Sequence, residues 1–195
     1  IIGFSEFLKK TISIPQKKII IDTDIGVDDA FAIMLALGSP DLLNILAIIT
    51  VEGNTSLENS TRNAHHILKL TNNQHIPIYD GEPHAIYDAW KPPSASDFHG
   101  AKGLGAIELE TEIDLKNDGV SHLMRLVKEN PNEVSLVCLG PLTNLAKAIN
   151  EDPQTVALLK EVVMLAGTFA LPGNITKTAE FNVYSDPDAA DLVFN

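Results

Sequence analysis

Four aspartates lie within eight residues of this 195-residue chain, directly after a short run of apolar, β-branched residues that ends at Ile21. They are Asp22, Asp24, Asp28 and Asp29. Negative charges this close together repel one another unless a cation neutralises them or some of the carboxyls stay protonated. Oxygen ligands without His or Cys favour a hard cation, Ca²⁺ or Mg²⁺. The cluster therefore predicts a metal site or a catalytic site.

Helix capping is the alternative explanation for this cluster. Asp28 and Asp29 stand at the start of an amphipathic segment, where negative charge interacts favourably with the helix dipole. Asp22 and Asp24 precede that helix, so capping does not account for them. We therefore expect the cluster as a whole to bind a cation or to take part in catalysis.

Further polar groups follow other predicted strands. Asn54 comes after a Glu-Gly turn, and the carbonyl of Leu139, before a Gly-Pro break, lacks a continuing ladder partner and could ligate a cation. Taken alone, each of these two features is explained at least as well by an ordinary turn. Glu180 and Asn182 would share one face if residues 179–183 are extended, so that both could hydrogen-bond a polyhydroxylated ligand.

Apolar runs alternate with amphipathic segments along the chain, and Asp186 followed by Pro187 marks the start of a last helix. This order predicts an α/β fold with a mostly parallel, doubly wound (Rossmann-like) sheet flanked by helices. Ligands of such sheets bind at the carboxyl ends of the strands. We predict strands over 18–22, 45–51, 76–79, 133–139 and 162–166, helices over 28–37, 56–70, 120–128, 142–149 and 154–160, and a long loop region over 80–118.

Composition limits the functional classes. The 14 Lys and Arg residues against 26 Asp and Glu residues give a net charge of −12, which argues against nucleic acid as a partner. A single cysteine, Cys138, excludes an internal disulfide framework. No apolar run approaches the roughly 20 residues that span a bilayer, so we expect no membrane association and a cytoplasmic protein. Residues 1–16 form a mixed lead, and 17–195 are expected to be the N-terminal part of one domain.

Taken in order, these motifs resemble the inosine/uridine-preferring nucleoside hydrolase family. The aspartate cluster is similar to the signature of that family, and the resemblance covers nearly everything after residue 17. It implies the nucleoside hydrolase fold and hydrolysis of the N-glycosidic bond of ribonucleosides to ribose and free base, with a tightly bound Ca²⁺. The other matching motifs are Val51–Asn54, His99-Gly100, Leu139–Asn144, Gly173-Asn174 and Glu180–Asn182.

The resemblance also implies a cation site. By position, Asp24 and Asp29 would ligate Ca²⁺, with the backbone carbonyl of Leu139 as a further ligand. Asp24 would also be the general base that takes a proton from the calcium-bound water. Asp22 matches a metal-site position that lies behind the ligands.

The same resemblance assigns contacts with the nucleoside. Asp28 and Asn182 would hold the 2′- and 3′-hydroxyls of the ribose, and Asn54 would lie near those hydroxyls and the water. Asn174 and Glu180 would hold the 5′-hydroxyl.

The leaving-group side of the site is less complete. His99 resembles a histidine beside the base, but the leaving-group histidine of the family and one more calcium-ligating aspartate lie in a distal part that has no match here. We therefore expect a chain that is truncated relative to the family, with little or no activity from residues 1–195 alone. The family also suggests a homodimer or homotetramer, and the base preference is not encoded in any of these motifs.

Two other functions stay open from the sequence. Asp22-Thr23-Asp24 also fits the start of a haloacid-dehalogenase-like, Mg²⁺-dependent phosphatase, although Gly26 stands where that pattern has Thr or Val. The second is a non-catalytic paralogue that binds nucleoside or calcium. The retained site residues argue against loss of the site.

Overall fold

Five parallel strands form one sheet in the residues that the computed structural model describes, 15–87, 95–107, 109 and 112–195. The strand order is β3-β2-β1-β4-β5, and every neighbouring pair is parallel. The predicted doubly wound α/β sheet is thus confirmed. The strands are β1 (Lys17–Thr23), β2 (Leu43–Thr50), β3 (Ile78–Asp80), β4 (Val134–Cys138) and β5 (Glu161–Met164).

Helices cover both faces of the sheet. Alternate residues of β1 point to opposite faces, so that Ile20 joins one apolar cluster while Ile19 and Ile21 join the other. Burial on both faces explains why the strand has a continuous apolar run instead of an alternating pattern. The helices are α1 (Val27–Leu37), α2 (Leu57–Leu70), α3 (Ser96–His99), α4 (Gly119–Glu129), α5 (Thr143–Glu151), α6 (Pro153–Val156), α7 (Phe181–Ser185) and α8 (Pro187–Phe194).

The two clusters separate the helices into layers. Leu123 of α4 and Leu145 of α5 pack with Ile20 on one face. Ile33 of α1 and Ile67 of α2 pack with the other face. Because α1 and α5 follow directly on β1 and β4, their N-terminal ends lie at the same sheet edge as the predicted aspartates.

The structure differs from several of the predicted elements. The helix expected over 154–160 ends at Val156, because the chain already joins the sheet where Lys160 N–H donates to the Val134 carbonyl across 2.8 Å. The last strand is Glu161–Met164 instead of 162–166. The stretch 179–183 is not extended, since helix α7 begins at Phe181. The loop region 80–118 contains the short helix α3.

Two sequence features have a clear outcome in the fold. Asp186 caps α8, because its side chain accepts the N–H of Ala189, and Pro187 occupies the first helical position as predicted. No helix among the described residues is long and apolar enough to cross a membrane. Most of the predicted lead over 1–16 lies outside the described residues.

Candidate active site

Most of the predicted site residues line one cavity of about 270 Å³ at the carboxyl ends of the strands. The two exceptions, Asp22 and Asp24, are buried where β1 ends, with exposed fractions of 1% and 0%. A larger cavity of about 650 Å³ beside β3 is lined by none of these residues. The predicted residues that line the smaller cavity are Asp28, Asp29, Asn54, His99, Leu139, Asn174, Glu180 and Asn182.

Asp24 is enclosed by backbone from two neighbouring strands. Its Oδ2 accepts the backbone N–H of Asn54 across 2.7 Å, and its Oδ1 has no hydrogen-bond partner. A Cβ on Gly53 would overlap Oδ2, and one on Gly140 would lie 2.8 Å from Oδ1. The ends of β2 and β4 can therefore close around this carboxylate only because both positions are glycine.

Asp29 accepts three hydrogen bonds from residues at the ends of β1 and β2. Its Oδ2 accepts the backbone N–H of Gly26 at 2.8 Å and the side-chain amide of Asn54 at 2.9 Å, and its Oδ1 accepts the hydroxyl of Thr23 at 3.1 Å. Asp29 thus satisfies a backbone N–H at the start of α1, as the capping interpretation requires. It is also held by Asn54, which lines the cavity, so capping describes only one of its contacts.

Burial raises the pKa of each of these carboxyls. Desolvation raises the pKa of Asp22 to about 7. Desolvation also raises the pKa of Asp24 well above its usual value, and the nearby charge of Asp29 adds to the rise. The pKa of Asp29 is raised by its own burial. A cation bound at this strand end would lower these pKa values again, because its positive charge stabilises the ionised carboxylates.

The oxygen atoms at this strand end fit a hard cation. Among buried side-chain nitrogen and oxygen atoms of the described residues, the two without a hydrogen-bond partner are Asp22 Oδ2 and Asp24 Oδ1. Within the same residues there is no group of three or more His, Cys, Asp or Glu side chains that could hold a metal. The groups that the family resemblance implies as ligands are the carboxylates of Asp24 and Asp29 and the carbonyl of Leu139, which also accepts Asn182 Nδ2. All of them are oxygen, the ligand type that such a cation prefers.

The Asn182 side chain is held by two strand ends. Its Nδ2 donates to the carbonyls of Leu139 and Leu165, both at 2.8 Å. Glu180 is the N-cap of α7, because its carboxylate accepts the N–H groups of Asn182 and Val183. The two-residue spacing therefore brings Glu180 and Asn182 to the cavity through a helix start, and not through an extended strand.

Glu180 and Asn174 have further bonds around the same loop. Glu180 Oε2 also accepts the N–H of Gly167 at 2.9 Å, and Asn174 Oδ1 accepts the N–H of Phe181 at 2.8 Å. The loop that follows β5 is thus tied to the start of α7 by two side chains that line the cavity.

His99 lies at the end of α3, against the start of α1. Its Nδ1 accepts the backbone N–H of Val27 at 3.2 Å and lies 3.8 Å from Oδ1 of Asp28. Because Nδ1 is an acceptor in this arrangement, the neutral ring carries its proton on Nε2.

The sequence interpretation did not identify two buried residues that hold the aspartates. Thr23 donates its hydroxyl to Asp29, and the side-chain amide of Asn144 donates to Asp22 Oδ1 across 2.8 Å. The Asp-Thr-Asp and Leu-Thr-Asn motifs contain both residues, but the contacts become visible only when the strands are placed side by side.

A sequence profile described as "Inosine-uridine preferring nucleoside hydrolase" matches residues 19–195. The chain belongs to this family. The inosine-uridine preferring nucleoside hydrolase of Leishmania major is 39% identical over 184 residues, which cover 92% of this chain and 57% of that protein. The predicted family is thereby confirmed, and the phosphatase alternative has no support.

Solved structures of the family have the same fold. A plant nucleoside hydrolase superposes with a TM-score of 0.85 at 40% identity, covering 92% of this chain and 57% of the plant chain. A purine-preferring ribonucleoside hydrolase from Gardnerella vaginalis superposes with a TM-score of 0.82 at 32% identity, covering 91% of this chain and 57% of the other. The chain thus spans little more than half the length of the family members that it matches.

Proposed function

We propose that the protein containing this chain hydrolyses the N-glycosidic bond of ribonucleosides and releases ribose and free base. The observation that carries this proposal is the environment of Asp24, a completely buried carboxylate with one unpartnered oxygen. Asn54 donates its backbone N–H to this carboxylate and lines a cavity whose other polar side chains can hydrogen-bond the hydroxyls of a sugar. The relatives described above are named as nucleoside hydrolases, which supports the same reaction.

We propose Ca²⁺ as the cation, held by the carboxylates of Asp24 and Asp29 and the carbonyl of Leu139, with Asp22 behind them. Family membership supports a catalytic metal in general, and the all-oxygen ligand set favours Ca²⁺ or Mg²⁺. A bound cation supplies positive charge that lowers the pKa of a water molecule. Ca²⁺ takes roughly 6–8 oxygen ligands. Water, substrate or residues outside the described ranges must supply the rest.

Asp24 is the general base in this proposal. Because the N–H of Asn54 already engages Oδ2, Oδ1 is the atom that accepts the proton from the attacking water. Burial keeps this oxygen away from bulk solvent. Positioned proton transfer of this kind contributes about 10²- to 10⁴-fold to the rate.

Asp28 and Asn182 bind the 2′- and 3′-hydroxyls of the ribose. Both hydrogens of the Asn182 amide are engaged by backbone carbonyls, so its Oδ1 is the atom left to accept a hydroxyl proton. Asn54, which donates hydrogen bonds to Asp24 and Asp29, lies near the same hydroxyls. The carboxylates around the sugar stabilise the positive charge that develops as the glycosidic bond breaks.

The remaining residues bind the two ends of the nucleoside. Asn174 Oδ1 accepts the N–H of Phe181, so the Nδ2 of Asn174 remains free to donate to the 5′-hydroxyl. Glu180 binds the same hydroxyl. His99 lies beside the base, as a residue at the end of α3 that lines the same cavity.

The test is release of free base from inosine, uridine and their 2′-deoxy forms, measured by chromatography on the protein expressed from its complete reading frame. We expect hydrolysis of ribonucleosides, strong discrimination against the 2′-deoxy forms, and loss of activity in Asp24→Asn. Asp41→Asn, which changes an exposed aspartate, is the matched control and should retain activity. If none of the four nucleosides releases free base, the proposal is overturned.

A further inference from the structure

Asn144 joins the ends of three neighbouring strands. It lies in the first turn of α5, with an exposed fraction of 0%. Its Nδ2 donates to Asp22 Oδ1 at 2.8 Å and to the Thr50 carbonyl at 3.2 Å, and its Oδ1 accepts the N–H of Glu82 at 2.9 Å. These partners belong to the ends of β1, β2 and the turn after β3, so one side chain connects all three.

The site around Asn144 requires a side-chain amide. Only an amide donates two hydrogens and accepts a hydrogen bond on the same planar group, whereas an ionised carboxylate only accepts and an aliphatic side chain does neither. A Cβ on Gly81 would overlap the Asn144 amide. The turn after β3 therefore leaves room for the Asn144 amide only because residue 81 has no side chain.

Asp22 is the partner that gives this amide a role in the site. With Oδ1 held by Asn144, its Oδ2 has no partner, and its backbone carbonyl accepts the N–H of Leu139 at 2.7 Å. Asp22 Oδ2 and Asp24 Oδ1 are two unpartnered carboxylate oxygens two residues apart. Leaving a buried carboxylate oxygen unpaired costs free energy, so the fold must hold it in place against that cost.

We propose that Asn144 is a positioning residue that sets the affinity of the site for its cation. It fixes Asp22, two residues before Asp24 at the end of β1, and thereby holds in place the strand end that presents Asp24 to the cation. The inference rests on the cation assignment made under the proposed function. Asn144 is not among the residues that line the cavity, so it acts through Asp22 and not through contact with the nucleoside.

The test is calorimetric titration of the chelator-treated protein, from its complete reading frame, with Ca²⁺ alone and without nucleoside. Asn144→Ala removes the amide, and Gly81→Ala displaces the amide without removing it. For both variants we expect Ca²⁺ binding to weaken about 10-fold, the lower end of the range found when partners of metal ligands are removed, because Asp22 lies behind the ligands. The increase in melting temperature that Ca²⁺ produces should shrink in parallel.

Thr143→Val is the matched control, because Thr143 is the buried neighbour of Asn144 on the same helix. Its hydroxyl donates to Asp186 Oδ2 at 2.7 Å, a residue at the start of α8. This variant should lower the melting temperature but keep Ca²⁺ affinity within about twofold of wild type, since its lost partner, Asp186, is not a residue of the proposed cation site.

Two results would overturn the inference in distinguishable ways. If wild type binds Ca²⁺ and Asn144→Ala binds it as tightly as Thr143→Val does, the positioning role is wrong and the proposed function stands. If wild type does not bind Ca²⁺, the cation assignment is wrong, and the role of Asn144 is overturned with it.

Discussion

The backbone N–H of Asn54 donates to Asp24 Oδ2 across 2.7 Å. The side-chain amide of the same residue donates to Asp29 Oδ2 across 2.9 Å. One residue at the end of β2 therefore orients both carboxylates that we propose as cation ligands. The approach is possible because the preceding residue, Gly53, has no side chain to meet Asp24.

Gly53→Ala should therefore damage the site directly. The added Cβ would overlap Asp24 Oδ2 and lie 2.8 Å from Cδ of Pro141, so the carboxylate or the turn must move. A displacement of about 1 Å costs on the order of 100-fold in rate, and we expect kcat/KM for ribonucleosides to fall by that factor. Steady-state kinetics on the purified variant would measure it.

Gly38→Ala is the matched control for that substitution. Gly38 ends helix α1 in a right-handed conformation, with φ −74°, and its added Cβ would come no closer than 3.3 Å to another atom. We expect its kcat/KM to match wild type. Equal kinetics for the two alanine variants would show that Asp24 does not depend on the close approach of β2.

Asn182→Ala should weaken the discrimination between ribose and 2′-deoxyribose. The variant loses the oxygen that we assign to a ribose hydroxyl, so kcat/KM for inosine should fall about 10- to 100-fold. The 2′-deoxy form, which already lacks one hydroxyl, should lose less. Kinetics on the two substrates give the ratio, with Asn130→Ala as the control because Asn130 bonds the Leu126 carbonyl on α4. A fall of the same size for both substrates would place Asn182 on the 3′-hydroxyl, and an unchanged kcat/KM for inosine would contradict the assignment.

Local sequence patterns predicted most of the fold. The apolar run before Asp22 predicted β1, because a strand buried on both faces leaves a local signature, and the helix predicted over 28–37 ends with α1 at Leu37. The start of α8 at Asp186 was also predicted, from a capping aspartate followed by proline. These features depend on neighbours in the chain, which is why the sequence alone was enough.

The misassigned stretch shows where local patterns stop being sufficient. A two-residue spacing between Glu180 and Asn182 fits a strand, but Glu180 instead caps a helix that is held by the loop after β5. The role of Asn144 was invisible for a similar reason, since Asp22 lies 122 positions away in the chain. Contacts between distant strand ends require the sheet order, which no local motif encodes.

Asp152 should make stability depend on pH in acid. Its carboxylate accepts the hydroxyl of Thr155 at 2.6 Å and pairs with Lys128 at 3.1 Å, and the Thr155 bond followed by Lys128 lowers its pKa from 3.8 to about 2. The native state then binds fewer protons than the unfolded state. The stabilisation is therefore complete above the unfolded pKa of 3.8 and is lost as the pH falls towards about 2.

Asp152→Asn tests that dependence, because asparagine keeps an oxygen for the capping bond but carries no charge. We expect its urea midpoint to lie below that of wild type at pH 6, with the difference shrinking between about pH 4 and pH 2, where the unfolded wild type binds its proton before the native state does. A difference that stays constant over this range would contradict the lowered pKa.

Calcium dependence of base release is the most direct test of cation-assisted hydrolysis at Asp24. The initial rate on inosine should be measured for the protein from its complete reading frame as purified, after treatment with a chelator, and after Ca²⁺ is restored. We predict that the chelator removes activity, that Ca²⁺ restores it, and that Asp24→Asn stays inactive in all three states. Undiminished hydrolysis in the chelator, or an Asp24→Asn variant as fast as wild type, would contradict the account.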